Sequence, residues 1–242
     1  MAQDGPAMNY DLGPDDQEII RLSAQHEIMT AAYDKLILAP IDLSHPSLRI
    51  LDSATANGLW LRDIQSVLPA SHALVGTDIN PNLFPPTAPS QTHFQVQDIT
   101  KPWPEEWTGS FDLVHSRVAL AGCGQFPIEK AVKNMIALIK PGGWIQLEEM
   151  ELGEQAKLPR IGGEVAKLIK AMFAFGGADP LFAVKMKSWM IEAGLENVEE
   201  KLIRVPFGAT CSDPEIARKG VESLTITANA LAYAAKSKFN LS

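Results

Sequence analysis

Acidic side chains close three successive apolar runs of this sequence, Leu48-Arg49-Ile50-Leu51-Asp52, Ala73-Leu74-Val75-Gly76-Thr77-Asp78 and Thr92-His93-Phe94-Gln95-Val96-Gln97-Asp98. An ionised carboxylate offers two acceptor oxygens, so Asp52, Asp78 and Asp98 can hold a ligand rich in hydroxyl, amino or ammonium donors. A fourth run, Phe111-Asp112-Leu113-Val114-His115, ends on a histidine. An imidazole with an ordinary pKa of about 6.5 suits proton removal near neutrality, and a buried one can equally anchor the loop that follows. A fifth run, Gly143 to Glu148, again finishes on an acid.

Residues that close strands matter because open parallel sheets bind ligands beyond the carboxyl ends of their strands. The first such loop, Ser53-Ala54-Thr55-Ala56-Asn57-Gly58, has small side chains that let a ligand approach the backbone. Gly58 to Asp78 is a step of twenty positions, the spacing of a nicotinamide-dinucleotide site. Against that ligand stand the missing G-x-G-x-x-G pattern and Asp52 itself, which would set like charge against a pyrophosphate. S-adenosylmethionine carries an ammonium and a sulfonium, so an acid at that place suits it. On this reading Asp52, Ser53, Ala54, Gly58 and His115 face the methionine end. Asp78 accepts from the ribose hydroxyls, Asp98 from the adenine amino group, and Ile79 and Ile99 pack against the ring.

The elements that must position these residues form a strand–helix alternation from about residue 48, which predicts an α/β domain with a mostly parallel sheet flanked by helices. Before it, Gly13-Pro14 and the acids Asp15, Asp16 and Glu18 open a helix over 14–38 whose apolar stripe carries His26. Further helices are expected over about 57–68, from Pro127 to Ile139, near 163–175, and from an N-cap at Asp179 to Gly194. Leu202–Val205 reads as a sixth strand, and Asp213-Pro214 opens a helix reaching about Ala235. The 242 residues, 46% hydrophobic, fit one domain: a helical cap over 1–45, a cofactor core over 46–150, and substrate-covering helices with the last strand over 151–242.

A formal charge of −8 without any long Lys/Arg run argues against nucleic acid as a partner. No apolar stretch reaches the roughly 18 residues of a membrane span, and the N-terminus lacks a signal-peptide pattern, which predicts a cytoplasmic protein. Cys123 and Cys211 have no metal-ligand spacing and read as free thiols, and no metal is expected. A small molecule remains the expected substrate. Tyr10, His26, Arg117, Glu148 and Phe173 are its candidate contacts: Arg117 can orient an anion or sit in solvent, His26 can serve a lid or be a satisfied core residue, and Glu148 with Glu149 can meet polar groups.

The ordered set Leu51-Asp52-Ser53-Ala54-Thr55-Ala56-Asn57-Gly58-Leu59-Trp60, Gly76-Thr77-Asp78-Ile79-Asn80-Pro81, Val96-Gln97-Asp98-Ile99-Thr100, Trp103-Pro104-Glu105-Glu106-Trp107, Phe111-Asp112-Leu113-Val114-His115 and Lys140-Pro141-Gly142-Gly143-Trp144-Ile145-Gln146 resembles the fungal secondary-metabolism, UMTA-like branch of class I methyltransferases. The resemblance implies a Rossmann-like fold, S-adenosylmethionine as cofactor with S-adenosylhomocysteine as product, and methyl transfer to O, N or C of an apolar metabolite. The alternative is a protein of the same fold that does not methylate, a cofactor-binding regulatory partner or a cyclase. Two departures stand out. Ala56 and Ala54 occupy positions where the family carries glycine, and Lys236–Ser242 is too short and polar for the family's seventh, antiparallel strand. A sheet lacking that strand exposes an edge that a second copy could pair with.

Overall fold

The structure, a computed structural model, describes residues 14–68, 71–153, 160–175 and 177–239. Five strands, β1 (Arg49–Ser53), β2 (Ala73–Asp78), β3 (Thr92–Val96), β4 (Phe111–Arg117) and β5 (Ile139–Glu148), form one sheet in the order β3-β2-β1-β4-β5. Every pairing is parallel. The apolar runs explain this arrangement, since central strands covered on both faces need continuous hydrophobic sequence. Ile50, Leu51, Leu113 and Val114 are fully buried.

Helices line both faces. On one, α2 (Leu59–Gln65) packs Trp60, Leu61 and Ile64 against Ile50, Leu74 and Leu113. On the other, α3 (Ile128–Ile136) buries Ile128, Ala131, Val132 and Met135 on Leu51, Val75 and Val114. That spacing is one helical stripe, and each large aliphatic side chain so buried stabilises the fold by about 1.5–3 kcal/mol. The remaining helices are α1 (Asp15–Ala32), α4 (Arg160–Phe175), α5 (Met186–Glu192) and α6 (Pro214–Phe239). Among the described residues, no helix is long and apolar enough to cross a membrane. Cys123 and Cys211 are free.

Several boundaries differ from the sequence expectation. The first helix stops at Ala32 rather than near residue 38, because Tyr33 turns extended and residues 36–39 are held by the side chain of Gln146 on β5 instead. Ile139 ends no helix: it opens β5 opposite Phe111, ahead of a register shift between Phe111 and Leu113, which pairs with Trp144. Asp179 caps a turn, accepting from the Leu181 amide, and α5 begins only after a 3-10 segment over Phe182–Lys185. The expected strand at Leu202–Val205 makes no ladder. Extended propensity alone does not create a strand without a partner, and Leu202 remains 49% exposed. The described residues beyond 205 hold 3-10 and α-helix and no seventh strand. Asp213 behaves as expected, its carboxylate accepting from the Glu215 and Ile216 amides at the start of α6.

Candidate active site

Register sets Gly76, Asp52, His115 and Gln146 side by side across β2, β1, β4 and β5. Side chains alternate along a strand, so these residues share one face, and Glu148, two positions beyond Gln146, joins them nearer the carboxyl edge. His115 is held from three directions. Its Nδ1 meets Asp52 Oδ1 at 2.7 Å, its Nε2 meets Glu148 Oε1 at 3.3 Å, and its ring stacks on Trp60 with centroids 3.7 Å apart and planes 4° from parallel. Asp52 Oδ2 accepts from the Thr55 hydroxyl at 2.6 Å, and the Gln146 amide donates to Glu148 Oε1 at 2.6 Å.

Of the two roles expected of His115, base or anchor, this arrangement bears on the second. Burial disfavours the charged ring, but the two carboxylates outweigh it and raise the His115 pKa above 6.5. The same contact, with Arg117 nearby, brings Glu148 below the usual carboxylate value despite burial. Both ring nitrogens face carboxylate oxygens, an arrangement that a doubly protonated ring satisfies and that suits His115 as an anchor. One imidazolium and two carboxylates sum to a negative charge, which the Arg117 guanidinium near Glu148 offsets on one side, leaving Asp52 as the acid nearest the ligand loop.

The loop between β1 and α2 reaches this site through three left-handed residues, Ala54 (φ 60°), Ala56 (φ 50°) and Gly58 (φ 72°). Left-handed geometry costs a non-glycine residue about 1–2 kcal/mol. The alanines adopt the glycine conformation, and hydrogen bonds hold them there: the Ala56 amide donates to Asp78 Oδ2 at 2.9 Å, and the Thr55 amide to the Thr77 carbonyl at 2.8 Å. Ala56→Gly is therefore expected to raise stability by up to about 1 kcal/mol, the relief of strain exceeding the added entropy of the unfolded chain, as read from the urea midpoint. Gly58 and Gly76 leave room for the Phe94 ring, which a Cβ at either would meet at 2.7 Å.

A roof covers the loop. Leu22, Gln25 and His26 of α1 line, with Asp52, residues 54–57, Leu59, Trp60, His115 and Arg117, a cavity of about 40 Å³. Asp15 accepts from the side chains of Asn80 and Asn82, and Asn57 donates to Ser23. His26 Nδ1 accepts from an Arg117 Nη at 2.7 Å while Nε2 donates to Asp63 at 2.9 Å, and burial lowers its pKa against the pull of Asp63, which keeps the ring neutral. Two buried polar atoms around this cavity and the histidine cluster, Arg117 Nη1 and Trp60 Nε1, have no hydrogen-bond partner among the described residues, and the Tyr33 hydroxyl reaches the Glu148 carboxylate.

Beyond Arg117, Val118 turns left-handed (φ 50°), an unusual conformation for a β-branched residue, and directs the Ala119 and Leu120 amides to Glu149 Oε1 at 3.0 and 2.9 Å. Burial pushes Glu149 up to about 7, with the Glu148 charge adding and the two amides opposing. The folded state thus keeps a proton that the unfolded chain releases, and stability contributed below the ordinary carboxylate range is lost as pH climbs towards 7. Glu149→Gln keeps the accepting oxygen and removes the charge. Its stability advantage over the wild type is expected to grow by roughly 2 kcal/mol between about pH 5 and pH 8 in denaturant titrations.

Other expected site residues fall as follows. Asp78 is buried and accepts from the Ala56 and Asn80 amides, and burial raises its pKa against those bonds. Asp98 lies two residues past β3, closing a turn through Thr100, with Ile79 half exposed and Ile99 packed on the core. Ser53 is fully buried. Phe173 packs against Phe182 in the apolar layer and is not among the cavity residues. Tyr10 lies outside the described residues. Trp60, Asp63, Thr55 and Gln146 went unassigned in the sequence, although period-two alternation on β5 already aligns Gln146 with Glu148. No group of metal-binding side chains occurs among the described residues.

Comparison with known proteins identifies the family and the fold. Residues 23–200 match a family model described as a methyltransferase domain. The N-methyltransferase gliN of Aspergillus fumigatus is 37% identical over 228 residues, spanning 92% of this chain and 79% of the relative. The N-methyltransferase sirN of Leptosphaeria maculans is 39% identical over 224 residues, spanning 92% and 78%. An O-methyltransferase family protein from Burkholderia thailandensis, 14% identical, superposes with a TM-score of 0.52 over 77% of this chain and 55% of its own, a likeness of fold alone. With its parallel Rossmann-like sheet, the chain belongs to the methyltransferase-domain family.

Proposed function

We propose that this protein transfers a methyl group from S-adenosylmethionine to a nitrogen atom of a small, largely apolar molecule. The observation that supports the cofactor assignment is the pair of buried carboxylates, Asp52 and Glu148, bridged by His115 at the carboxyl edge, with Arg117 Nη1 buried and unpartnered beside them. An unpaired buried donor is costly, so Arg117 Nη1 favours a ligand with a matching acceptor. When bound, the cofactor supplies an electrophilic methyl on sulfur.

The chain's own residues hold and align. Asp78 retains lone pairs for hydroxyl donors, since each oxygen has accepted one amide. Asp98, Ile79 and Ile99, which follow β3 and β2, are assigned to the flat, amino-bearing end of the cofactor. Arg117 is placed to orient the acceptor molecule, and His26 fixes Arg117. In-line displacement gains most of its rate from such positioning and from excluding water, which α1 does by covering the site. A cavity of about 40 Å³ holds a few waters, so α1 must shift for ligands to enter. Nitrogen as the acceptor rests on the two N-methyltransferase relatives. A neutral amine attacks through its own lone pair and gives up its proton to solvent afterwards, so it needs little help from a base, whereas an amide nitrogen needs its proton removed.

Calorimetry with S-adenosylmethionine and S-adenosylhomocysteine tests the cofactor, with micromolar binding expected. Release of S-adenosylhomocysteine with a panel of small amines and amides against matched alcohols tests the acceptor. Absence of heat for both ligands refutes the first part, and turnover confined to alcohols refutes the second.

A further inference from the structure

His115 satisfies two carboxylates only while its ring lies in one plane, because both N–H bonds of an imidazolium are in-plane donors. Asp52 Oδ1 and Glu148 Oε1 fix where the two nitrogens must point, at 2.7 and 3.3 Å. Neither carboxylate resists rotation of the ring about the line joining them. Trp60 does: it is the second residue of α2, 2% exposed and locked among Leu61, Ile64, Ile50 and Leu113, and its indole lies flat on the imidazole at 3.7 Å. Parallel contact with an aromatic face also favours a cation over a neutral ring.

We infer that Trp60 is a positioning residue for methyl transfer, clamping His115 in the plane that lets one ring bridge Asp52 and Glu148. This rests on the cofactor reading above, because its consequence is the fixed orientation of the carboxylates that face the cationic ligand. Without the clamp the ring tilts, Glu148 loses its longer bond first, and the negative cluster no longer has a single geometry. The first turn of the helix after the ligand loop thereby couples the loop's conformation to the charge cluster on β4 and β5.

Histidine-selective 15N NMR of the full chain reads the clamp without any assay of methyl transfer. In the wild type, His115 is expected to show protons on both ring nitrogens and carbon-bound ring protons shifted upfield by the indole. Trp60→Phe, which keeps a flat face, should preserve the two-proton pattern and hold the S-adenosylmethionine Kd within about threefold. Trp60→Leu should lose the pattern and raise Kd about tenfold. A folded Trp60→Leu with unchanged His115 signals overturns the proposal. If Trp60→Leu does not fold, a wild-type His115 without the upfield shift, or a Trp60→Phe protein without the two-proton pattern, overturns it instead. Failure of the wild type to bind S-adenosylmethionine refutes the cofactor reading and leaves the NMR result standing.

Discussion

His115→Ala is expected to cost about 3–5 kcal/mol of folding stability at neutral pH, the penalty of leaving buried charges without their partner. The side chains of Asp52 and Glu148 are 4% and 7% exposed, so water cannot replace the imidazolium between them. The loss should shrink when Glu148→Gln is added, because one of the two stranded charges disappears. A double-mutant cycle in urea is expected to give a coupling of at least about 1 kcal/mol. The sign of the pH dependence follows from the raised pKa of His115. Its stabilisation is fully present below about pH 6.5 and fades as pH rises through the folded-state value, so the wild type and His115→Ala should converge at alkaline pH. A loss under about 1 kcal/mol at neutral pH would remove the ionic cluster from the account of this fold.

Asp78→Ala should weaken S-adenosylmethionine binding about 100-fold by calorimetry, through two losses that act together. Acceptor oxygens for hydroxyl donors disappear, and so does the bond that holds Ala56 in its left-handed conformation. Asp78→Asn separates them. It can keep one acceptor for the loop while losing charge, and about a tenfold effect is expected. An unchanged Kd in both variants would place the cofactor elsewhere.

The five strands were legible because strands of a parallel sheet advertise themselves as short apolar runs, each run here ended by an ionisable residue. Leu202–Val205 misled for the same reason: the residues suit a strand, and nothing in a local pattern says whether a partner edge is within reach. The candidate site was legible residue by residue and illegible as a cluster. Asp52 and His115 lie 63 positions apart, and only the order β1-β4-β5 and its register bring them together. That step adds what the local pattern lacks, since a histidine read alone is a candidate base and the same histidine between two acids is held by both and has its pKa raised. Ala54 and Ala56 read as intrusions into a glycine loop, whereas the backbone keeps glycine geometry and absorbs the methyl groups as strain.

The roof over the cavity joins distant parts of the chain. Lys219 on α6 pairs with Glu27 on α1, and the Ser223 hydroxyl donates to the Arg21 carbonyl, contacts spanning 192 and 202 positions. Closing such long loops is entropically slow, and the sheet's own contacts are far more local. Residues 48–148 are therefore expected to assemble first, leaving the carboxyl edge uncovered until α1 and α6 meet. A ligand present during that interval meets an open site, so refolding in the presence of S-adenosylmethionine should trap it faster than mixing with the finished protein.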